Sequence, residues 1–135
     1  MTHQFSIAVR NARLDAYETT IGTAAILKLR TGTKPATCAT ADAGTVLATL
    51  NLPSDWLAAA SSGTKSKSGT WEDLSADADG TAAHFRIYAS DGVTCHHQGT
   101  ITATGGGGDM TLDNVVIATG QAITVTGYVL TDGNA

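Results

Sequence analysis

The chain has 135 residues and a formal net charge of −4, with eight Lys plus Arg against twelve Asp plus Glu, and aromatic residues supply only 5%. That length sets the expectation at one hydrophobic core, while the acidic balance and the scarcity of rings exclude a protein that neutralises phosphates and stacks on bases. Ala (22), Thr (22) and Gly (15) dominate, against 26 Leu, Ile, Val and Phe together, so the core is expected to be thin, and the abundant Thr favours extended backbone.

The opening residues MTHQFSIAVRNARL lack the uninterrupted apolar segment of a secretion signal, and no later run approaches the roughly 20 apolar residues of a membrane span. The expectation is a soluble protein with no Sec signal and no membrane partner. Ser6 is a plausible N-cap. Ile7, Asn11, Leu14, Tyr17 or Glu18, and Ile21 follow it at steps of three to four residues before Gly22 offers a stop, which predicts one amphipathic helix over 7–21. Arg10, Arg13, Asp15 and Glu18 fall on its polar side, and the apolar stripe requires either the protein's own sheet or a neighbouring subunit beneath it. Residues 1–22 are thus an N-terminal arm and helix, and 23–135 a β domain.

After Gly22, short extended segments are predicted at 24–31, 45–52, 66–71, 82–89, 94–103, 109–113, 114–118 and 122–131, separated by Gly, Asp, Ser and Pro. No second helix alternates with them, so the fold class is mainly β: a single antiparallel β-sandwich, jelly-roll-like, with one short N-terminal α-helix. Ile123, Val125 and Val129 share a parity that Gly127 interrupts. Residues 31–44 and 59–69 are read as loops, the usual sites of contact on a small sandwich.

The motifs that suggest chemistry weaken on inspection. GVTCHHQGT (92–100) gathers a thiol and two imidazoles. A three-residue turn at Ser90-Asp91-Gly92, with Gly92 left-handed, sets Phe85, Ile87, Cys95, His97, Gly99 and Ile101 on one face and His96 on the other. That separation argues against a shared metal, and a flat strand offers no oxyanion site for a Cys–His pair. TGGGGD (104–109) lacks the Lys-Ser/Thr of a phosphate loop and precedes a strand, so it reads as a mobile or tight connection. EDLSADADG (72–80) fails as a calcium loop because Ser75 and Arg86 would occupy positions that need carboxylates. Ser62 and Lys65 match S-x-x-K by spacing alone. Cys38 and Cys95 are expected as free, buried thiols. No catalytic residue, cofactor or metal ligand is assigned, and an enzyme is not expected.

The segments RNARLDAYETTIG (10–22), ILKLRTGTKPATC (26–38), GTVLATLNLPSDW (44–56), DADGTAAHFRIYASDGVTCHHQGT (77–100) and TLDNVVIATGQAITVTGYVLTDGN (111–134) resemble those of small structural proteins of tailed bacteriophages. The resemblance spans nearly the whole chain but carries no catalytic signature. It implies a virion component assembled in the bacterial host cytoplasm and then resident on the particle. A thin core and long loops suit a capsid decoration or cement protein that clamps the major capsid protein, with homo-oligomers such as a trimer expected and no nucleic-acid partner. A tail or neck component is the alternative, and a host-glycan binding module a third. The expected contacts are residues 1–21 and the loops 31–44 and 59–69, in particular Phe5, Ile7, Arg10, Leu14, Tyr17, Lys34, Pro35, Lys65 and Lys67.

Overall fold

A computed structural model describes residues 3–135. Its helix, α1, runs Ile7–Ile21, over the residues that the capping signals predict. Ser6 is extended and its Oγ accepts from the Val9 amide at 3.3 Å. Gly22 closes the helix at φ 91°, donating its amide to the Glu18 carbonyl at 2.8 Å, and the Trp56 indole Nε1 donates to the Gly22 carbonyl.

The face that α1 buries is mixed, which the apolar stripe did not anticipate. Leu14 and Ile21 are buried, but so is Arg10, whereas Ile7 is exposed. Arg10 Nε donates to the Asp132 carbonyl at 2.8 Å, and its guanidinium covers Gly63, where an added Cβ would stand 2.2 Å from Nη2. The helix therefore lies on the protein's own strands and C-terminal segment, through a surface that includes ion pairs.

Eleven strands follow: β1 Ile26–Arg30, β2 Val46–Asn51, β3 Thr64–Ser66, β4 Glu72–Asp73, β5 Gly80–Thr81, β6 His84–Tyr88, β7 Cys95–Ala103, β8 Met110–Leu112, β9 Val116–Ile117, β10 Ile123–Thr124 and β11 Val129–Thr131. The fold is mainly β, with one helix and a curled sheet. Five strands make the largest sheet, in the order β2-β1-β6-β7-β8. The pairs β3·β11 and β4·β10 are both antiparallel. They are joined by bonds from the Lys67 amide to the Tyr128 carbonyl and from the Val125 amide to the Trp71 carbonyl, both 2.9 Å, so residues 64–73 and 123–131 form one interrupted ribbon. Gly127 resets the alternation within that ribbon. Ile123 and Val125 are buried, but beyond the glycine Tyr128 is buried and Val129 is exposed.

The sheet is not wholly antiparallel: β8 pairs with β7 in parallel, Ile101 opposite Met110 and Ala103 opposite Leu112. Parallel neighbours ordinarily need a crossover of about a dozen residues. Here residues 104–109 suffice because they fold back against β7 itself, and that explains the four glycines. Gly105 and Gly107 are left-handed, and a Cβ on Gly106 or Gly108 would collide with Thr102. Gly108 donates to Thr102 Oγ1 at 3.0 Å, while Asp109 accepts from the amide and hydroxyl of Thr100.

The two faces of the sheet differ. Leu27, Leu29, Phe85, Ile87 and Ile101 point to one side, where they meet Trp56, Trp71, Tyr128 and Ile21 in the main core. Trp56, Trp71, Tyr128 and Phe85 form a chain of tilted and edge-on rings with centroids 5.4–6.0 Å apart. The other side carries Arg30, His84, Arg86 and Tyr88 and is roofed by residues 31–44.

Candidate functional site

The hairpin that holds GVTCHHQGT keeps the left-handed Gly92 expected of it, at φ 68°. Asp91 secures the turn, its carboxylate accepting from the Val93 and Thr94 amides at 2.8 Å and from the Thr94 hydroxyl. Those bonds to Thr94 and Val93 hold the exposed Asp91 carboxyl down at about 2. The strand register is two residues away from the predicted one: Phe85 faces Gly99 and Ile87 faces His97. Phe85 fixes this register, because its ring fills the space that a side chain at position 99 would take: a Cβ added there would stand 2.7 Å from a ring carbon.

A bulge between Ile87 and Tyr88 then sets Tyr88 opposite Cys95. The triplet divides after the cysteine. His96 and His97 both line the groove beside α1 with Tyr17, while Cys95 turns to the opposite face and meets Cys38. The expectation that Cys95 and His97 share a face, with His96 opposite, is corrected by this bulge.

His97 is half-buried between two phenols. The hydroxyls of Tyr17 and Tyr128 stand 2.7 and 2.9 Å from its Nδ1. Unprotonated, Nδ1 offers one lone pair and accepts from one of the two hydroxyls, which leaves the ring proton on Nε2. Burial holds the His97 pKa below its usual value, against an opposing pull from Asp109. Burial likewise pushes both phenols upward. Among the described residues, the side chains that hydrogen-bond to the imidazole are these two phenols.

A denser polar cluster lies on the sheet's other face. Arg86, 1% exposed, donates through Nη2 to the carbonyls of Thr37, Cys38 and Thr40 at 3.0–3.1 Å, through Nε to Gln98, and through Nη1 to Asp42. Asp42 also takes Arg30 Nη2 at 2.9 Å and the Tyr88 hydroxyl at 2.7 Å. Burial works to raise the Asp42 pKa, but the hydrogen bonds from Tyr88 and Arg86 and the charge of Arg30 outweigh it and leave the carboxyl below its ordinary range. Beside it, His84 Nδ1 contacts the Gly32 carbonyl at 2.8 Å, while its Nε2 and Arg30 Nε are buried without a hydrogen-bond partner among the described residues.

This network fastens residues 31–44 to the sheet. Pro35 is buried and its carbonyl accepts from Gln98 Nε2 at 2.7 Å; Lys34 Nζ lies 3.5 Å from that same oxygen. The second predicted loop, 59–69, contains β3. There Lys65, 2% exposed, pairs with Asp15 at 2.7 Å and Glu18 at 2.9 Å. Lys67 sits over the Trp71 ring. Of the residues expected to make contacts, Arg10, Leu14, Tyr17, Pro35 and Lys65 are therefore engaged within the protein.

Phe5 and Ile7 keep exposed side chains. Phe5, Ile7 and Val9 are 38%, 57% and 44% accessible, at and just before the start of α1. The Arg13 guanidinium lies over the Phe5 ring and pairs with Asp132 at 3.1 Å. The Phe5 amide donates to the Asn134 carbonyl, so both ends of the chain meet at this surface.

The acidic segment 72–80 is a set of structural acceptors. Asp73 takes the Thr49 and Ser75 amides, Asp77 the Thr49 hydroxyl, and Asp79 the Thr119 amide. Among the described residues no three His, Cys, Asp or Glu side chains converge as a metal site requires.

Comparison with protein families, curated proteins and solved structures finds no match. Sequence reasoning missed the Arg86–Asp42 cluster. The one signal for it was an arginine in the middle of HFRIY, a segment otherwise fit for a buried strand.

Proposed function

We propose that the chain is a structural protein of a tailed-bacteriophage virion, a capsid decoration or cement protein that binds the major capsid protein and works as a homo-oligomer such as a trimer. The observation that carries this reading is the concentration of three exposed large apolar side chains, Phe5, Ile7 and Val9, within five residues of chain, whereas Leu74, Val93, Val116 and Val129 are scattered in sequence. The resemblance of the sequence to small phage structural proteins supplies the partner. Action is passive: burying the run against the shell adds interface area, and the fastened loops keep the binding body in one shape, which lowers the ordering cost of association.

We read the body as a sandwich of jelly-roll type, the five-stranded sheet forming one layer and the ribbon of residues 64–73 and 123–131 the other. No catalytic role is proposed. The test is peptide quantification from purified heads and tails. Copies that scale with the major capsid protein and fall at least tenfold in a Phe5→Ser/Ile7→Ser/Val9→Ser variant support it. Confinement to tails would transfer the assignment to a tail or neck component, and undiminished occupancy by the variant would remove the N-terminal run from the interface.

A further inference from the structure

We propose that Cys38 and Cys95 are a built disulfide site: on exposure to an oxidising thiol–disulfide pool they join, and the bond locks residues 31–44 onto strand β7. The two Sγ atoms lie 3.0 Å apart, and the approach follows from the backbone on both sides. On the strand side, the bulge opposite Ile87 and Tyr88 takes Cys95 off the apolar face and turns it towards the roof. On the roof side, Arg86 grips the Cys38 carbonyl itself together with those of Thr37 and Thr40, and Gln98 grips Pro35. Cys38 is thus held over Cys95 by contacts that do not involve sulfur. Closing the remaining gap requires a movement of about 1 Å, since a disulfide spans about 2 Å.

The chain contains just these two cysteines, and both are half-buried. A small disulfide such as oxidised glutathione reaches them more readily than a second protein does. Burial and the neighbouring Cys38 push the Cys95 thiol up to about 12. In one order of events, the Cys38 thiolate, formed by loss of a proton to solvent, attacks one sulfur of oxidised glutathione, forming a mixed disulfide and releasing one glutathione thiolate. Cys95 then gives up its proton, its sulfur attacks Cys38 Sγ, and the second glutathione leaves. The two released thiolates take up the two protons. Two protein thiols are oxidised by two electrons, and one glutathione disulfide is reduced to two thiols.

In a reducing cytoplasm the thiols stay apart and the roof rests on its hydrogen bonds. Outside it, the bond closes a ring between positions 57 apart in sequence. Such a ring restricts the unfolded chain strongly, and for a domain of this size the expected rise in melting temperature is about 10 °C. This inference is independent of the virion assignment.

The experiment uses the full chain, incubated at pH 8.5 either with dithiothreitol or with a glutathione buffer rich in the oxidised form, then denatured and alkylated with iodoacetamide. The expected result is two alkylated cysteines after reduction, none after oxidation, and a peptide map joining the Cys38 and Cys95 fragments. Oxidation should raise the melting temperature by about 10 °C in the native sequence and leave Cys38→Ala/Cys95→Ala unchanged. Two alkylations after oxidation, persistent glutathione adducts or intermolecular dimers would each overturn the proposal. The alkylation and mapping use the native sequence, so they stand even where the double variant folds poorly.

Discussion

The two faces of the central sheet solve the same problem by different means. On one, Leu27, Leu29, Phe85 and Ile87 pack against Trp56 and Trp71, and cohesion comes from many weak, directionless contacts spread over a large area. On the other, Arg86 and Asp42 organise an irregular roof through a few directional bonds to backbone carbonyls, and most of the holding passes through two side chains. A protein with so few large apolar residues cannot line both faces with them. The comparison teaches that a guanidinium, with five donors, can substitute for an apolar layer when a loop supplies the acceptors.

The sharpest way to break the comparison is to damage each face once. Trp71→Ala removes a fully buried ring and the indole donor to the Trp56 and Ser68 carbonyls, and is expected to cost about 4 kcal/mol, measured by urea unfolding. Arg86→Met keeps much of the volume but leaves the three roof carbonyls without their donor. Asp42 keeps Arg30 and the Tyr88 hydroxyl, and its side chain is 38% exposed, which limits the loss to about 3 kcal/mol. The two variants should differ in kind as well. In Arg86→Met, hydrogen exchange should accelerate first in residues 37–44, whereas in Trp71→Ala those amides should follow global unfolding. Equal acceleration in both would mean that the roof is not held separately.

The smallest effect is that of pH. Burial, together with the charges of Arg30, Arg86 and Lys34, lowers the His84 pKa against the pull of the Gly32 carbonyl, and burial lowers that of His97 against Asp109. In the unfolded chain both histidines take up protons near pH 6.5, whereas the folded state resists, so stability should begin to fall as pH drops through 6.5. Asp42 and Asp109, both held low, add a second loss near and below about pH 4. Melting temperatures from pH 8 to 3 check this, and His84→Gln should flatten the first decline without moving the second. An unchanged first decline would show that His84 does not cause it.

The sequence reading succeeded where residues act locally. Ser6 and Gly22 bound the helix because caps are decided within one turn, and Gly92 marked its hairpin because a left-handed position favours glycine. The reading failed where a distant partner decides. Arg10 looked solvent-facing until Asp132 came back across it, and Lys65 looked like a loop lysine until Asp15 and Glu18 closed over it. The hairpin register turned on Phe85 requiring a glycine opposite, a relation that period-two patterning does not encode. The roof cluster was the least legible, since a Thr- and Ala-rich stretch gives no hint that its carbonyls will serve one buried arginine.

The hydrogen bond between Phe5 and Asn134 brings positions 129 apart in sequence side by side. A short linker across that junction would let the polypeptide be reopened elsewhere, for example within the exposed glycines 105–107, to give a circular permutant whose free ends emerge at the β7–β8 turn. Cargo fused there would leave the surface around Phe5 uncovered, whereas a tag attached next to Phe5 or Asn134 would sit beside it.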